Sequence, residues 1–214
     1  MLFGLVGAAI LIGLGTWQVQ RLVWKQGILS QIEARIHAAP VAVPAQPDPE
    51  ADKYLPVEET GYLGPQEVHV LASRKQFGAG YRIIAPFQIG ERTVLLDRGF
   101  IPTTEKDTPR GGMTLTVTGN LHWPEETDSY TPDADIAKNI WFSRDVAAMA
   151  AALGTDPVLI VARSDTGQGV DPFPVDSAGI PNDHLQYAIT WFSLAIVWLG
   201  MTAFLLWRIK RRTD

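Results

Sequence analysis

The feature that most constrains this chain is a long, uncharged apolar segment at each of its ends. The first segment runs from Leu2 to about Gln18 and the second from Leu185 to Trp207. The hydrocarbon core of a bilayer is about 30 Å thick, and a helix of roughly 20 residues spans it. The sequence therefore predicts two membrane-spanning helices, with the intervening residues forming one domain on one side of the membrane.

The charges beside the two segments indicate an orientation. Four basic residues lie in the tail Arg208–Asp214, directly after the second segment. Arg21, Lys25 and Arg35 follow the first segment and point the other way. Basic flanks favour the cytoplasmic side, but a loop longer than about 60 residues translocates largely regardless of its charge. We therefore expect the domain outside the cytoplasm and both termini inside it.

The first segment is expected to be an anchor and not a cleaved signal peptide. It lacks a basic leading region, and no A-x-A-like site follows its apolar part. Trp17, Gln18, Arg21 and Trp24 come next, and this composition is typical of an interfacial belt that continues a helix.

Composition excludes several classes of function. Outside the tail, the remaining residues carry 14 basic and 22 acidic side chains, which argues against nucleic acid or anionic lipid headgroups as partners of the domain. The chain has no cysteine. Disulfides, zinc ribbons, covalent haem attachment through C-x-x-C-H and thiolate copper carriers are therefore excluded.

The region between the segments divides into three parts. Apolar residues recur at spacings of three and four from Trp17 to Ile36, which predicts that the first helix continues to about His37. A proline-rich stretch, 38–56, follows and is expected to be an extended arm. The predicted organisation is a span at 1–19, a helical extension at 20–37, a β-rich domain at 38–183, a second span at 184–207 and a basic tail at 208–214.

The domain itself is predicted to be an antiparallel β-rich α+β fold. Gly90-Glu91 suggests a tight hairpin, and Asp145–Leu153 reads as a helix with Ser143 or Asp145 as N-cap and Gly154 as its stop. Runs rich in β-branched, leucine and aromatic residues predict the strands: Glu67–Ser73, Tyr81–Ile89, Thr93–Phe100, Leu115–Trp123, Ile140–Arg144 and Pro157–Arg163.

No enzymatic motif is evident in the sequence. It contains no G-x-S-x-G, H-E-x-x-H or phosphate-binding glycine loop. The acidic pairs Glu58-Glu59 and Glu125-Glu126 fit solvated turns. Asp97-Arg98 fits a local ion pair that braces a turn. We therefore expect a protein that is not an enzyme.

His184 differs from the other histidines because it stands immediately before the second span. At helical spacing, His184, Ala188, Trp191 and Ala195 share one face. A flat macrocycle could lie on such a face with the imidazole as its axial ligand. Alternatively, His184 caps the helix at the interface and the alanines admit the other span.

The end of the first span lies at the same depth. If the two spans pack together, Trp17, Arg21 and Trp24 come near His184 and Tyr187, and the guanidinium of Arg21 can pair with a propionate. The alternative is that these residues are ordinary interfacial anchors.

Small residues of the first span are candidates for close approach of the two helices. Two sets are possible: Gly4, Ala8 and Gly15, or Ala9 and Gly13.

The same residues carry a resemblance to the Surfeit-locus cytochrome c oxidase assembly factors. The two outer signatures are LGTWQVQRLVWK (Leu14–Lys25) and NDHLQYAITWFSLA (Asn182–Ala195). The inner segments that resemble the family are YLPVEETGYL (Tyr54–Leu63), GYRIIAPF (Gly80–Phe87), VLLDRGFIP (Val94–Pro102), GNLHWPE (Gly119–Glu125) and NIWFSRD (Asn139–Asp145). Four positions depart from the family's usual residues, namely Asp97, Phe100, His122 and Asp183.

The resemblance implies an inner-membrane protein whose domain faces the periplasm or intermembrane space. Family members assist insertion of haem a into subunit I of the oxidase, and bacterial members bind it through the histidine at the second span, here His184. The absence of an Arg/Ser-rich transit segment favours a bacterial origin.

The leading hypothesis is thus a non-catalytic haem chaperone in a bacterial inner membrane. In it, His184 ligates the iron of haem a, Arg21 faces a propionate, and four aromatic residues enclose the ring, namely Trp17, Trp24, Tyr187 and Trp191. The β domain docks oxidase subunit I or the haem a synthase. One alternative is a scaffold that docks these proteins without holding haem. Another is a membrane-tethered sensor, whose domain should contain a closed apolar pocket.

Overall fold

A computed structural model describes residues 2–75 and 77–213 of the chain. They form two compact units. One consists of the chain up to Ile32 together with the chain from Ser177 onward, and the other is Glu33–Asp176. The elements follow in the order α1 (Leu2–Ile36), β1 (Pro56–Leu63), β2 (Val68–Arg74), β3 (Gly78–Ile89), β4 (Arg92–Pro102), a 3₁₀ turn (Thr103–Glu105), β5 (Met113–Leu121), a second 3₁₀ turn (Ile136–Lys138), α2 (Val146–Leu153), β6 (Leu159–Ala162) and α3 (His184–Thr213).

The two terminal helices are long and apolar enough to cross a membrane. Helix α1 has 35 residues and rises about 52 Å at about 1.5 Å per residue, which exceeds the thickness of a bilayer core. Its end at Ile36 agrees with the predicted continuation to about His37. The predicted fold class, two apolar helices flanking a β-rich α+β domain, is confirmed.

The strands of the domain close into a ring. The six-stranded sheet has the order β1-β5-β6-β4-β3-β2, and β1 also pairs with the far end of β3 through Tyr62↔Gln88 and Leu63↔Phe87. Strand β3 is long enough to serve both neighbours, because its first half pairs with β2. This closure covers the second edge of β1 at its Tyr62–Leu63 end.

Most strand pairs are antiparallel, and β4 with β6 is a parallel pair. The chain reaches β6 from β4 through β5 and α2, a crossover long enough for a parallel connection. The hairpin between β3 and β4 turns at Gly90-Glu91 as predicted, with Gly90 at φ 58°, a conformation that glycine adopts without strain.

Side-chain alternation along the strands builds two large hydrophobic clusters and a smaller third one around Tyr81, Ile83 and Ile101. One large cluster fills the interior of the ring with residues from all five of its strands, including Val57, Phe87, Leu96 and Leu121. The other large cluster lies on the opposite face, where α2 packs through Met149. Because buried side chains from all five strands meet in the interior, the ring encloses a packed core.

Helix α2 begins and ends as the sequence predicted. The carboxylate of Asp145 accepts a hydrogen bond from the backbone N–H of Ala148 at 3.0 Å, which makes Asp145 the N-cap and leaves Ser143 outside the helix. Gly154 closes the helix in the left-handed conformation at φ 66°.

Strand β1 was not predicted, because Glu58 and Glu59 resemble turn residues. Both lie within the strand, so the prediction of solvated turn charges is wrong for this pair. Glu58 accepts a hydrogen bond from the hydroxyl of Thr118 at 2.9 Å, and Glu59 accepts one from the backbone N–H of Val43 at 2.7 Å. The second bond holds part of the proline-rich arm against the domain.

The predicted strand Ile140–Arg144 is also wrong. Trp141 makes only an isolated bridge to Val70 on the outer edge of β2. Its backbone N–H donates to the carbonyl of His69 and its carbonyl accepts from Leu71, both at 2.8 Å. The chain bends immediately afterwards, so this short segment covers a strand edge without becoming a strand.

Candidate functional site

Helices α1 and α3 pack against each other along a seam with a seven-residue repeat. In α1 one line of buried or half-buried positions runs through Gly4, Ala8, Leu11, Gly15 and Gln18, with the half-buried Gly7 and Leu14 beside it. In α3 they are His184, Ala188, Trp191, Ala195, Trp198 and Thr202. Spacings of four and three alternate in both lists, which is the pattern of two helices that coil around each other.

Small residues of α1 allow this approach. A Cβ added at Gly7 would lie 2.6 Å from the Trp198 ring, and one at Gly15 would lie 2.7 Å from the Phe192 ring. Gly13 has nothing within 4 Å of such a Cβ. A Cβ at Gly4 would lie 2.5 Å from Cγ2 of Thr202, so of the two predicted sets the one with Gly4 and Gly15 meets the other helix. Gly7 meets it as well and was not predicted.

The face of α3 that begins at His184 is covered by α1. Ala188 and Ala195 are buried, and Trp191 is half-buried. The alanines thus admit the other span, as the alternative interpretation expected. With the helices packed, α1 occupies the surface of α3 on which the macrocycle was expected to lie, and haem binding at His184 stays a prediction.

His184 forms a polar contact across the seam. Its Nδ1 lies 2.7 Å from Oε1 of Gln18, a residue 166 positions earlier in the chain. Within the described residues, Nε2 of His184 has no hydrogen-bond partner. The arrangement fits an iron ligand, because a ligating imidazole needs one nitrogen free and is usually oriented through the other.

Gln18 is the residue that sequence reasoning missed. It was treated as part of the interfacial belt, yet it is only 9% exposed. A signal was present in the sequence, since a carboxamide at the end of an apolar segment must find a hydrogen-bond partner when it is buried.

The remaining predicted site residues at the ends of the two spans are largely exposed. Trp17, Trp24 and Tyr187 are each about half exposed. The guanidinium of Arg21 lies 4.4 Å from the centre of the Trp24 ring, which is a cation–π distance. Among the described residues, no ring contact or hydrogen bond joins these four side chains to His184, so they do not enclose a ring in this conformation.

The domain contains a separate ionic cluster. The carboxylate of Asp97, which is fully buried, accepts a hydrogen bond from Nε of Arg82 at 2.6 Å and lies 3.5 Å from Nη1 of Arg144. Arg144 also binds Glu126. The predicted local pair of Asp97 with Arg98 is therefore wrong, since Arg98 binds Thr166 and its neighbours instead.

The partners of this cluster set its pKa values. Burial acts to lower the pKa of the Arg144 guanidinium, but the hydrogen bond with Glu126 and the charge of Asp97 outweigh burial and raise it. For Glu126 the same contacts outweigh burial and lower the pKa of the carboxyl. Both groups are thus charged at neutral pH, and the cluster is a structural brace of the domain.

An open groove of about 570 Å³ lies beside this cluster. Its lining includes Trp123, Lys53 and four acidic side chains, namely Glu50, Glu125, Glu126 and Asp145. Three of these acids already have partners, because Glu126 pairs with Arg144, Glu125 lies 3.5 Å from Nζ of Lys53 and Asp145 caps α2.

These features define a class of protein, namely a two-span membrane protein whose spans pack through a small-residue seam and flank a β-ring domain along the chain. The model of the SURF1 family matches residues 5–196, and the chain belongs to this family. It is similar to Surfeit locus protein 1 of Xenopus tropicalis, with 31% identity over 85% of this chain and 67% of the relative. The human Surfeit locus protein 1 is 31% identical over 86% of this chain and 69% of its own. The SURF1-like protein of Drosophila melanogaster is 32% identical over 98% of this chain and 77% of the relative.

Proposed function

We propose that this protein is an assembly factor for haem-copper cytochrome c oxidase that holds haem a as transient cargo through His184. Membership of the SURF1 family supports the role in oxidase assembly. The observation that carries the haem part is the contact of Nδ1 with Gln18, which leaves Nε2 of His184 without a hydrogen-bond partner in the part of the chain that the structure describes. A neutral imidazole in this state is a ligand for haem iron.

The haem would lie outside the packed seam. The seam side of His184 is filled by Ala188 and Ala195, whereas Trp17, Trp24 and Tyr187 present about half of their surface outward. These aromatic side chains supply flat apolar surface for the macrocycle, with Trp191 beside them in the seam. Arg21, at the end of the same span, supplies a guanidinium for a propionate. A single histidine ligand suits a carrier, because cargo held at one axial position is easier to release.

The wider assignment follows from the same proposal. The protein stands in a bacterial inner membrane with both termini in the cytoplasm and the β domain in the periplasm, and it is not an enzyme. The β domain docks oxidase subunit I or the haem a synthase. Its acid-lined groove offers a surface to a basic segment of either partner.

The experiment is to purify the full chain from cells that make haem a and to record its absorption spectrum. The wild type is expected to carry the Soret and α bands of haem a, and His184→Ala is expected to lose them. His37→Ala is the matched control, because His37 is an exposed histidine immediately after α1. Loss of the bands in the control alone, or their retention in His184→Ala, removes His184 as the ligand.

A second candidate is a scaffold that docks the oxidase subunits and the synthase without holding haem. The observation that favours it is the coverage of the His184 face by α1, together with the exposed Trp17, Trp24 and Tyr187, which suit interfacial anchors. Haem-free protein that co-purifies with subunit I, from cells rich in haem a, would support the scaffold over the carrier.

A further inference from the structure

The contact between Gln18 and His184 is a polar pair in a seam otherwise made of small and apolar side chains. The two atoms, Oε1 and Nδ1, are 2.7 Å apart, and Gln18 is nearly buried. A buried carboxamide without a partner costs free energy, so each residue depends on the other.

The chemistry of the pair fixes the tautomer of the imidazole. Oε1 of a carboxamide can only accept a hydrogen bond, so Nδ1 of His184 must donate one. In the neutral ring the lone pair then belongs to Nε2, the nitrogen that has no partner among the described residues. The same bond restricts rotation of the ring about its side-chain torsions.

We propose that Gln18 is a positioning residue that holds His184 in the Nδ1–H tautomer and aims Nε2 at the iron. The inference rests on the proposed function for its haem part. Loss of such an outer partner commonly weakens the binding of a metal group 10–100-fold. A stronger acceptor at the same place makes the imidazole a better donor to the iron, which favours the oxidised state.

The rival explanation is that Gln18 only ties the two helices together. Helix α3 offers a matched control for this, because Nε1 of Trp198 donates to the carbonyl of Gly4 at 2.8 Å across the same seam. Trp198→Phe removes one hydrogen bond between the helices without touching His184. A purely structural role predicts the same effect for Gln18→Leu and Trp198→Phe.

The first measurement uses the full chain in detergent micelles without haem. Nitrogen-15 chemical shifts of the His184 ring, identified by their loss in His184→Ala, report which nitrogen carries the proton. We expect protonated Nδ1 and bare Nε2 in the wild type and in Trp198→Phe, and loss of this preference in Gln18→Leu. A wild-type ring with its proton on Nε2 overturns the inference, because the carboxamide would then present its NH₂ group to Nδ1.

The second measurement uses protein loaded with haem a. Gln18→Leu is expected to release haem 10–100-fold more readily than the wild type and to raise the midpoint potential of the iron. Gln18→Glu is expected to retain haem and to lower the potential. Equal effects of Gln18→Leu and Trp198→Phe on both quantities overturn the inference. If the wild type carries no haem at all, the proposed function fails, and the nitrogen shifts still decide whether Gln18 sets the tautomer.

Discussion

Asp97 and Arg98 are neighbours in the chain and yet serve different partners. A β-bulge lies here, because Ile83 pairs with Gly99 whereas Ile84 pairs with Asp97, which leaves Arg98 as the extra residue. Asp97 turns to Arg82 and Arg144, while Arg98 donates to Thr166 and the carbonyl of Gly167. The sequence correctly predicted that Asp97 forms an ion pair. The bulge determines that its partners are Arg82 and Arg144 and not Arg98.

The buried side chain of His122 is expected to make the stability of the domain depend on pH. Burial lowers the pKa of its imidazole to about 4, and the nearby positive charges of Arg144 and Lys53 act in the same direction. The ring is stacked on Tyr54 with 5.4 Å between ring centres. The unfolded chain binds a proton at about pH 6.5, whereas the folded domain does so only at about pH 4.

The free energy of unfolding is therefore expected to fall as the pH drops from 6.5 to 4, by roughly 3 kcal/mol at most. Thermal unfolding of the domain in the full chain, followed by near-ultraviolet circular dichroism across this range, measures it. His122→Gln should flatten the dependence, while His37→Gln, at an exposed site, should leave it unchanged. Parallel slopes for the wild type and His122→Gln would show that another group is responsible. The pKa of Glu126 is lowered in the folded domain. Its contribution to the free energy of unfolding is therefore lost only as the pH falls below the ordinary pKa of a carboxyl group, which is a lower pH range than that of His122.

At the scale of elements, local signals predicted helices better than strands. The limits of α2 and the hairpin at Gly90 were found because caps and tight turns depend on residues close in sequence. Strand β1 was missed, and Ile140–Arg144 was wrongly expected to be a strand. Both errors have one cause, since a strand is defined by a partner that lies far away in the chain.

The packing of α1 against α3 predicts that cysteines introduced at positions 4 and 202 form a disulfide within one chain. A Cβ at position 4 lies 3.4 Å from Cβ of Thr202, close to the spacing of about 3.8 Å found in disulfides. The chain has no cysteine of its own, so Gly4→Cys/Thr202→Cys places the only two thiols on the seam. On mild oxidation we expect a cross-linked monomer, seen as a mobility shift on a non-reducing gel.

The control for this experiment is Gly13→Cys/Thr202→Cys, because Gly13 faces no neighbour within 4 Å. It should remain unlinked as a monomer. A disulfide-linked dimer of the Gly4→Cys/Thr202→Cys variant would show that the helices pack between two chains instead of within one.

At the scale of the whole molecule, the distribution of charge along the chain predicts the orientation of the protein in the membrane. The basic residues of Arg208–Asp214 lie in the last turns of α3, directly after its apolar part, and the segment between the spans is acidic overall. Basic residues beside a span are retained in the cytoplasm, whereas a long loop is translocated largely regardless of its charge.

This orientation predicts the labelling of single cysteines in spheroplasts by a maleimide that cannot cross membranes. Tyr130→Cys, at a side chain that is 90% exposed in the domain, should react in intact spheroplasts. Arg208→Cys, in the exposed end of α3, should react only after the membrane is permeabilised. The reverse pattern would place the domain in the cytoplasm. The cysteine-free wild type gives the background for both variants.

The sequence alone determined the two apolar ends, the continuation of α1 beyond its span, the caps of α2 and the small residues that face α3. Each of these follows from composition or from periodicity within about one helix, which are properties of neighbouring residues. It also singled out His184, because that residue stands at the border of a span.

Only the tertiary structure decided the closure of the strands into a ring, the partners of Asp97 and the contact of His184 with Gln18. That contact joins residues 166 positions apart. No local pattern encodes such a pairing, because it depends on which helix faces meet once the chain has folded. The two apolar ends thus specify the spans, and the packing between those spans specifies the tautomer-setting contact at His184.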